Sequence, residues 1–515
     1  MELVTIADKD FQGLIAKRAE RLFALADYLS RRQSVKEVMT RPFLGELLSQ
    51  AMQIEELLDA YGAISNCQWC LFRALTAAIK LFSDVSYELL HIQHVLPVYR
   101  LLPIQNDFVK ATQEALDFTG GVLAQAAGQM AVRAGQLGLS ISPDLPGEKP
   151  FGEHLSPGQL SHDCAARRAE TVAEVVTLLA TAFLNLAADS EDVCSASRAK
   201  PDEYATYTAE KVSEEKLRSL EFSFHNLQSL YDTHVSGTES EKLDSDLFVL
   251  RGHISVVFHL LKTATLFAHY YERHLIKQPC GRAGWKEPLL SAEGLLAILM
   301  NYSVTYASLY IASGKRLCRD MLKRYAEVGE IEVPVPRYRG FHVRPCTLIA
   351  RLVLHYGSDV RMKLDDEVYD ASAPLQLFRA NEKINAQKRR WLAAEIVRLK
   401  LVDEETRTRK GNLSDIVRDV VMALAEQSKL ILYEQSLELP EENAGKEGTM
   451  LEQVIDEMGR LLALGKIDVD TDLNVTFVGD KRVLADIKLL AEAGYGEDKF
   501  GNNVPLPDKL SYLRR

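Results

Sequence analysis

Over the first three hundred residues, apolar positions recur at helical spacing in one long stretch after another. Phe11, Leu14, Ile15, Leu22, Leu25 and Leu29 mark the first stripe. Thr40 and Pro42 open the second, which carries Leu47, Leu48, Ile54, Leu57 and Leu58. Further patterns run over about 66–94, 106–137, 164–188, 202–234, 245–275 and 291–325. Several approach thirty residues, about 45 Å of helix, and such helices on short connections predict an elongated antiparallel bundle. Composition marks the breaks: four prolines lie in 139–158, 235–241 is polar, and 278–288 holds two prolines and two glycines.

The pattern changes near residue 328. Ile331-Glu332-Val333-Pro334-Val335 alternates as a strand whose proline suits an edge or an end. Gly340-Phe341-His342-Val343-Arg344-Pro345 reads as a turn into a helix that Pro345 opens, because a proline at the first helical position loses a donor that had no partner. Leu348, Ile349, Leu352 and Tyr356 continue that helix and Gly357 closes it. Val360, Met362 and Leu364, an Asp365-Asp366 turn, then Val368 and Tyr369 predict a hairpin. A charged segment, 381–428, carries two helical patterns, one with Trp391, Ile396 and Leu399, the other with Ile416, Val420, Val421 and Leu424. Leu430-Ile431-Leu432-Tyr433 then reads as a strand. Thr449 and Glu452 form a capping-box pattern before a stripe of Leu451, Val454, Ile455, Met458, Leu461 and Leu462, ended by Gly465. Beyond it, 473–478 reads as a strand and 481–493 as a helix before an extended tail.

His342 therefore stands just before a helix N-terminus, where backbone N–H groups and the helix dipole favour negative charge, with Arg344 as a second anion-binding group. An imidazole so placed suits carrying a phosphoryl group on a ring nitrogen; the plainer alternative is a solvated loop histidine. The order of strand, histidine loop, helix and hairpin resembles the histidine-containing phosphocarrier (HPr) family of the bacterial phosphotransferase system, without a gap from Gly340 to Val360. Ala371-Ser372-Ala373 and Leu377-Phe378 resemble the approach to the family's second helix.

The resemblance implies an α+β protein: an all-α antiparallel bundle (1–327), an HPr-like open-faced β-sandwich (328–468) with a helical insertion at about 381–428, and a C-terminal extension (469–515). Leu430–Tyr433 would be the fourth strand of the sandwich and 449–465 its final helix. His342 would accept the phosphoryl group, Arg344 would stabilise it, and Leu377 and Phe378 would dock partners. Those partners would be an enzyme I-like phosphotransferase and a phosphoryl acceptor protein. The sequence departs from the family at Val343 and Cys346, where it has smaller or hydroxylated residues. It also has Leu375 or Gln376 in place of its regulatory serine. Such a chain is a phosphoryl carrier rather than a self-sufficient enzyme. The alternative is a non-enzymatic regulatory or docking protein built on the same fold, with the bundle as partner- or ligand-binding module.

Charge and composition narrow the remaining classes. With 515 residues, 47% hydrophobic, the chain supports several domains, and a net charge of −11 argues against a broad nucleic-acid or anionic-membrane surface. The longest uncharged run, 294–314, could span a bilayer, but Asn301, Thr305, three serines and three tyrosines favour a buried bundle helix. The opening Met1-Glu2-Leu3-Val4 carries no secretory pattern, so a cytoplasmic location is expected. Seven scattered cysteines do not form a disulfide framework, and Cys67-Gln68-Trp69-Cys70 reads as helix packing rather than a redox or zinc site.

Within the bundle, Glu88-x-x-His91 with His94 offers metal-ligand types on one helix face, but a di-iron bundle needs two such motifs and His269/Glu272 has the reverse order. A polar seam between helices is the expectation, with no metal and no cofactor. His259, Tyr270 and His274, and Tyr302, Tyr306 and Tyr310, form stripes that read as core residues with bonded polar tips, or alternatively as a cavity lining. No nucleotide-binding loop, nucleophile elbow or dinucleotide fingerprint occurs. A phosphoryl group on His342 must therefore come from another protein.

Overall fold

The structure, a computed structural model, describes residues 5–31, 37–139, 151–152, 171–276, 289–402, 412–433, 437, 448–469 and 473–513. Two compact units divide the chain, Met1–Met321 and Leu322–Arg515. Among the described residues the fold is mostly helical with two small antiparallel sheets, an α+β protein as expected.

The first unit is helical throughout its described residues. Its helices are α1 (Asp8–Arg18), α2 (Glu20–Ser30), α3 (Arg41–Ala60), α4 (Cys70–Val95), α5 (Phe108–Gln136), α6 (Val172–Asp189), α7 (Glu191–Ala196) and α8 (Tyr204–Glu210). Then come α9 (Glu214–His234), α10 (Glu239–Leu243), α11 (Ser245–Tyr270), α12 (Ala292–Ile298) and α13 (Thr305–Arg324). Two stretches read as single helices are broken: the first at Ala19, and 202–234 at Lys211–Ser213. Two others stay continuous but loosen into π-turns, Tyr271–Ile276 after α11 and Leu299–Val304 between α12 and α13. Helices α3, α4, α5, α9 and α11 pack as neighbours around a core that includes Phe72, Phe82, Leu123, Phe183, Phe224 and Phe267.

Among the described residues, three helical stretches are long and apolar enough to cross a membrane: Val172–Asp189, Ser245–Ile276 and Ala292–Arg324. The second and third have 72% and 61% of their apolar window buried against the rest of the protein, which accounts for their hydropathy by packing. Cys70, read from the sequence as a packing residue, is disulfide-bonded, and Cys67 is a free exposed thiol.

The second unit is built on a four-stranded sheet. Its strands are β1 (Val328–Pro334), β2 (Arg361–Leu364), β3 (Glu367–Asp370) and, far along the chain, β6 (Asn474–Asp480). Between them lie α14 (Val343–Tyr356), α15 (Pro374–Arg398), α16 (Leu413–Glu426), β4 (Leu430–Leu432), α17 (Met450–Ala463) and β5 (Ile467–Val469), and α18 (Lys481–Glu492) follows β6. The strand order is β1-β6-β2-β3, antiparallel throughout, with Phe477 opposite both Ile331 and Met362. β1 is an edge strand ending in Pro334, as its proline requires. Met362 and Leu364 are buried while Arg361 and Lys363 are exposed, so one face of the sheet is covered and the other is not. Helices α14, α15 and α18 supply the covering layer through Ile349, Leu352, Val353, Leu377, Ile384, Val483, Ile487 and Leu490.

This topology corrects the sequence reading at one place. Leu430–Leu432 does not enter the main sheet; it pairs with β5 in a separate two-stranded sheet. The strand that completes the main sheet is β6, beyond the expected domain end at 468, and the helix after it is α18. The physical reason is the second core. Ile396, Ile416, Val417, Val420, Val421, Leu424, Val454, Met458, Leu461, Ile467 and Val469 form one buried cluster from the end of α15 to β5. The inserted module is therefore larger than 381–428 and includes the capping-box helix. Removal of the Phe477 ring, fully buried in a central strand, is expected to destabilise this unit by roughly 3–5 kcal/mol. A Phe477→Ala melting curve checks this, and an unchanged midpoint contradicts the placement of β6.

Candidate functional site

His342 is the N-cap of α14, with extended backbone and no side-chain cap bond of its own. Pro345 has no N–H and the Cys346 N–H donates to the His342 carbonyl, which leaves the first-turn N–H groups of Val343 and Arg344 without an intrahelical partner. The turn before it is unusual: Arg339 has φ 54° and Gly340 φ 62°. Glycine is required at 340 on a second count, because a Cβ there would collide with Asn381 Oδ1.

Residues of the insertion and of α15 hold this turn. The Asn381 side chain accepts from the Phe341 N–H at 2.9 Å and donates to the Arg339 carbonyl at 3.1 Å. The Arg339 N–H donates to Asp468 at 3.2 Å, and its guanidinium donates to the Gly465 carbonyl at 2.8 Å. Asp468 is fixed by Lys388 at 2.7 Å, an ion pair with both side chains 3% exposed. Tyr338 stacks edge-on against both His342 and Tyr433. Cys346, one of the residues that departs from the phosphocarrier pattern, is buried with its thiol donating to the Phe341 carbonyl, and burial pushes that thiol up to about 12.

The C-terminal segment closes the other side. Glu497 Oε2 lies 3.1 Å from His342 Nε2, and Arg344 Nη1 donates to Asn503 Oδ1 at 2.5 Å. His342 Nδ1 lies 3.1 Å from the Gly340 carbonyl oxygen. The His342 side chain is 22% exposed. Arg344 also lines a surface groove of about 670 Å³ with Val343, Thr347, Arg351, Val504 and Leu506. Compared with family models, curated proteins and solved structures, the chain matches none.

Two of the four residues singled out from the sequence, His342 and Arg344, thus come together at one helix end. Leu377 does not serve as a docking residue: it is fully buried under the sheet, because its position on α15 faces the core. Phe378 is half-buried, and the exposed apolar residue of that turn is Leu375, at 77%. Sequence reasoning missed Glu497, Asn381 and Asp468, which lie 39 to 155 residues from the histidine and carry no local signal.

The bundle's polar residues form a seam. Glu88 lies 2.6 Å from His259 Nδ1 and 2.5 Å from Lys262 Nζ, and Lys262 also reaches Asp84 at 3.3 Å. His91 packs its ring against His259, whereas His94 Nδ1 faces its own helix carbonyl at Leu90. Among the described residues no group of His, Cys, Asp or Glu could hold a metal ion. Of the tyrosine stripe, Tyr302 bonds Thr112 and Tyr306 donates to the Asp107 carbonyl, with Phe108 packed against all three rings. Tyr270 and His274 stack on one another.

Burial alone would raise the Glu88 carboxyl, but His259 and Lys262 outweigh it and hold it at about 2. Burial and the neighbouring His259 push His91 down to about 4. Both groups are depressed relative to the unfolded chain, so the stability they contribute is full above their ordinary values and fades as pH falls. The bundle's melting temperature is expected to decline from about pH 6.5 towards pH 4 as His91 charges, then further as Glu88 protonates. A pH series of melts checks this; a midpoint rising on acidification contradicts it. At the histidine loop, Lys388→Met leaves the Asp468 carboxylate buried without its cation and is expected to cost roughly 3–5 kcal/mol. Chemical unfolding of the variant measures it, and a loss below about 1 kcal/mol contradicts the buried pair's role.

Proposed function

We propose that the second unit is an HPr-like phosphohistidine carrier or relay module with a large inserted subdomain. His342 takes a phosphoryl group from an enzyme I-like donor protein in the cytoplasm and passes it to an acceptor protein. The observation that carries this reading is the position of His342: N-cap of α14, Arg344 two residues on, and a side chain partly exposed to solvent. A phosphoryl group there meets two unpaired backbone N–H groups, the positive end of the helix dipole and a guanidinium. These stabilise the charge of the phosphoryl group bonded to the ring without trapping it there, which suits a carrier.

The element order supports the same reading. With the segment from the end of α15 to β5 set aside, the order is strand, histidine loop, helix, hairpin, helix, strand, helix, and one sheet face is left uncovered. That is the order and the open-faced sandwich the family resemblance implies. The unit offers no nucleotide-binding loop, so the group must arrive on a partner.

A second reading is favoured by the insertion's grip on the loop through Asp468 and Gly465. The module then serves as a docking or regulatory domain, and the state of His342 is transmitted to the inserted subdomain. Incubation with phosphoenolpyruvate and a matching enzyme I separates the two. The carrier reading expects a phosphate that is acid-labile, alkali-stable and absent from His342→Ala. Failure of the wild type to label, or equal labelling of His342→Ala, contradicts it.

A further inference from the structure

The tail beyond α18 brings a carboxylate to the histidine. Among the described residues, Glu497 is the acidic side chain that meets the His342 ring, and it is itself only 10% exposed. It does not sit on a loose strap. Tyr495, 1% exposed, adopts a left-handed backbone at φ 56° and donates its hydroxyl to the Pro334 carbonyl at 2.7 Å. Its ring packs edge-on against Phe341, the residue before the histidine. Asp498 closes the following turn by accepting from the Phe500 and Asn502 N–H groups, and Glu497 pairs with Asn503 across it. Leu506, Leu510 and Leu513 are buried and fasten the end of the tail. Backbone strain at Tyr495 and the hydroxyl bond beside it are features of a segment held in one place.

We infer that Glu497 is a positioning residue for phosphoryl transfer at His342, accepting the Nε2–H so that Nδ1 is the ring nitrogen that reacts. The inference rests on the carrier reading and adds to it a residue from the far end of the chain. As the ring stands, each nitrogen faces an oxygen, Nε2 the Glu497 carboxylate and Nδ1 the Gly340 carbonyl. Only one can keep its proton when the ring acts as a nucleophile. The carboxylate is the stronger acceptor, so the proton stays on Nε2 and the lone pair falls on Nδ1. In the step itself Nδ1 attacks phosphorus and the Nδ1–P bond forms. The bond from phosphorus to the donor's leaving atom breaks, and its electron pair goes to that atom. The Nε2 proton remains in place, and Glu497 stabilises the positive charge that the ring acquires. In the reverse direction the retained Nε2 proton lets the ring leave as a neutral imidazole. Arg344, 3.9 Å from Glu497 Oε1 and bonded to Asn503, stays at the helix end to meet the phosphate oxygens.

Two measurements on the full chain test this. In the enzyme I assay, Glu497→Ala is expected to lower the first-order rate of phosphoryl uptake about 10–100-fold with an unchanged KM for the donor, and Glu497→Asp to recover part of the loss. An Ala variant that labels as fast as wild type, or faster, overturns the inference, the faster case marking Glu497 as a block on the ring. The second measurement needs no donor. The His342 Nε2 proton should appear in wild type as a downfield, exchange-protected NMR signal and vanish in Glu497→Ala. Its absence from wild type also overturns the inference. Should wild type take up no phosphate while this proton is seen and lost as described, the carrier reading fails and Glu497 keeps its hold on the ring.

Discussion

The pairing of β6 between β1 and β2 is the constraint on which the second unit depends. It joins residues 474–480 to a strand near 330 and another near 361, so the sheet cannot close until most of the chain has been made. It also fixes where the last forty residues go. From β6 the chain turns at the Asp480 cap into α18, and from α18 the tail passes His342. The histidine site is thus assembled from two segments about 155 residues apart in sequence, and a long-range strand pairing sets their meeting.

The insertion adds a third participant. Its core is self-contained, yet its last strand contributes Asp468, whose carboxylate meets the Arg339 N–H, Lys388 and the Tyr433 hydroxyl. Burying a carboxylate is costly unless cations and donors surround it. Two of these donors, the Arg339 N–H and Lys388, belong to the histidine turn and to α15, so the packing of the insertion and the geometry of the turn are not independent. A left-handed Arg339 followed by a left-handed Gly340 is tolerated because partners on both sides hold it.

What could be read from the sequence follows the range of the interactions. Local signals gave α14 with its glycine stop, the β2–β3 hairpin across Asp365-Asp366, the Thr449–Glu452 capping box and the stripes of the bundle. Each of these is decided within a few residues. The order of strands in the sheet was not legible, because Leu430–Leu432 and Val475–Val478 are both short apolar runs and nothing local says which completes the sheet. Burial of Leu377 likewise depends on the phase of α15 against that sheet, and so on pairings between distant strands. Glu497 reads as one more charge in a polar tail. The seam of Glu88, His259 and Lys262 joins two helices more than 170 residues apart, which the Glu88-x-x-His91 spacing alone could not disclose.

Of the chain's twelve histidines, His342 is the one proposed to carry phosphate. Donor-free chemical phosphorylation with phosphoramidate, followed by mapping of the modified residue under alkaline conditions, tests it most directly. A histidine held at the mouth of α14 beside Arg344 predicts that His342 is labelled ahead of every other histidine. Label spread over the other histidines with His342 unmodified would contradict the account.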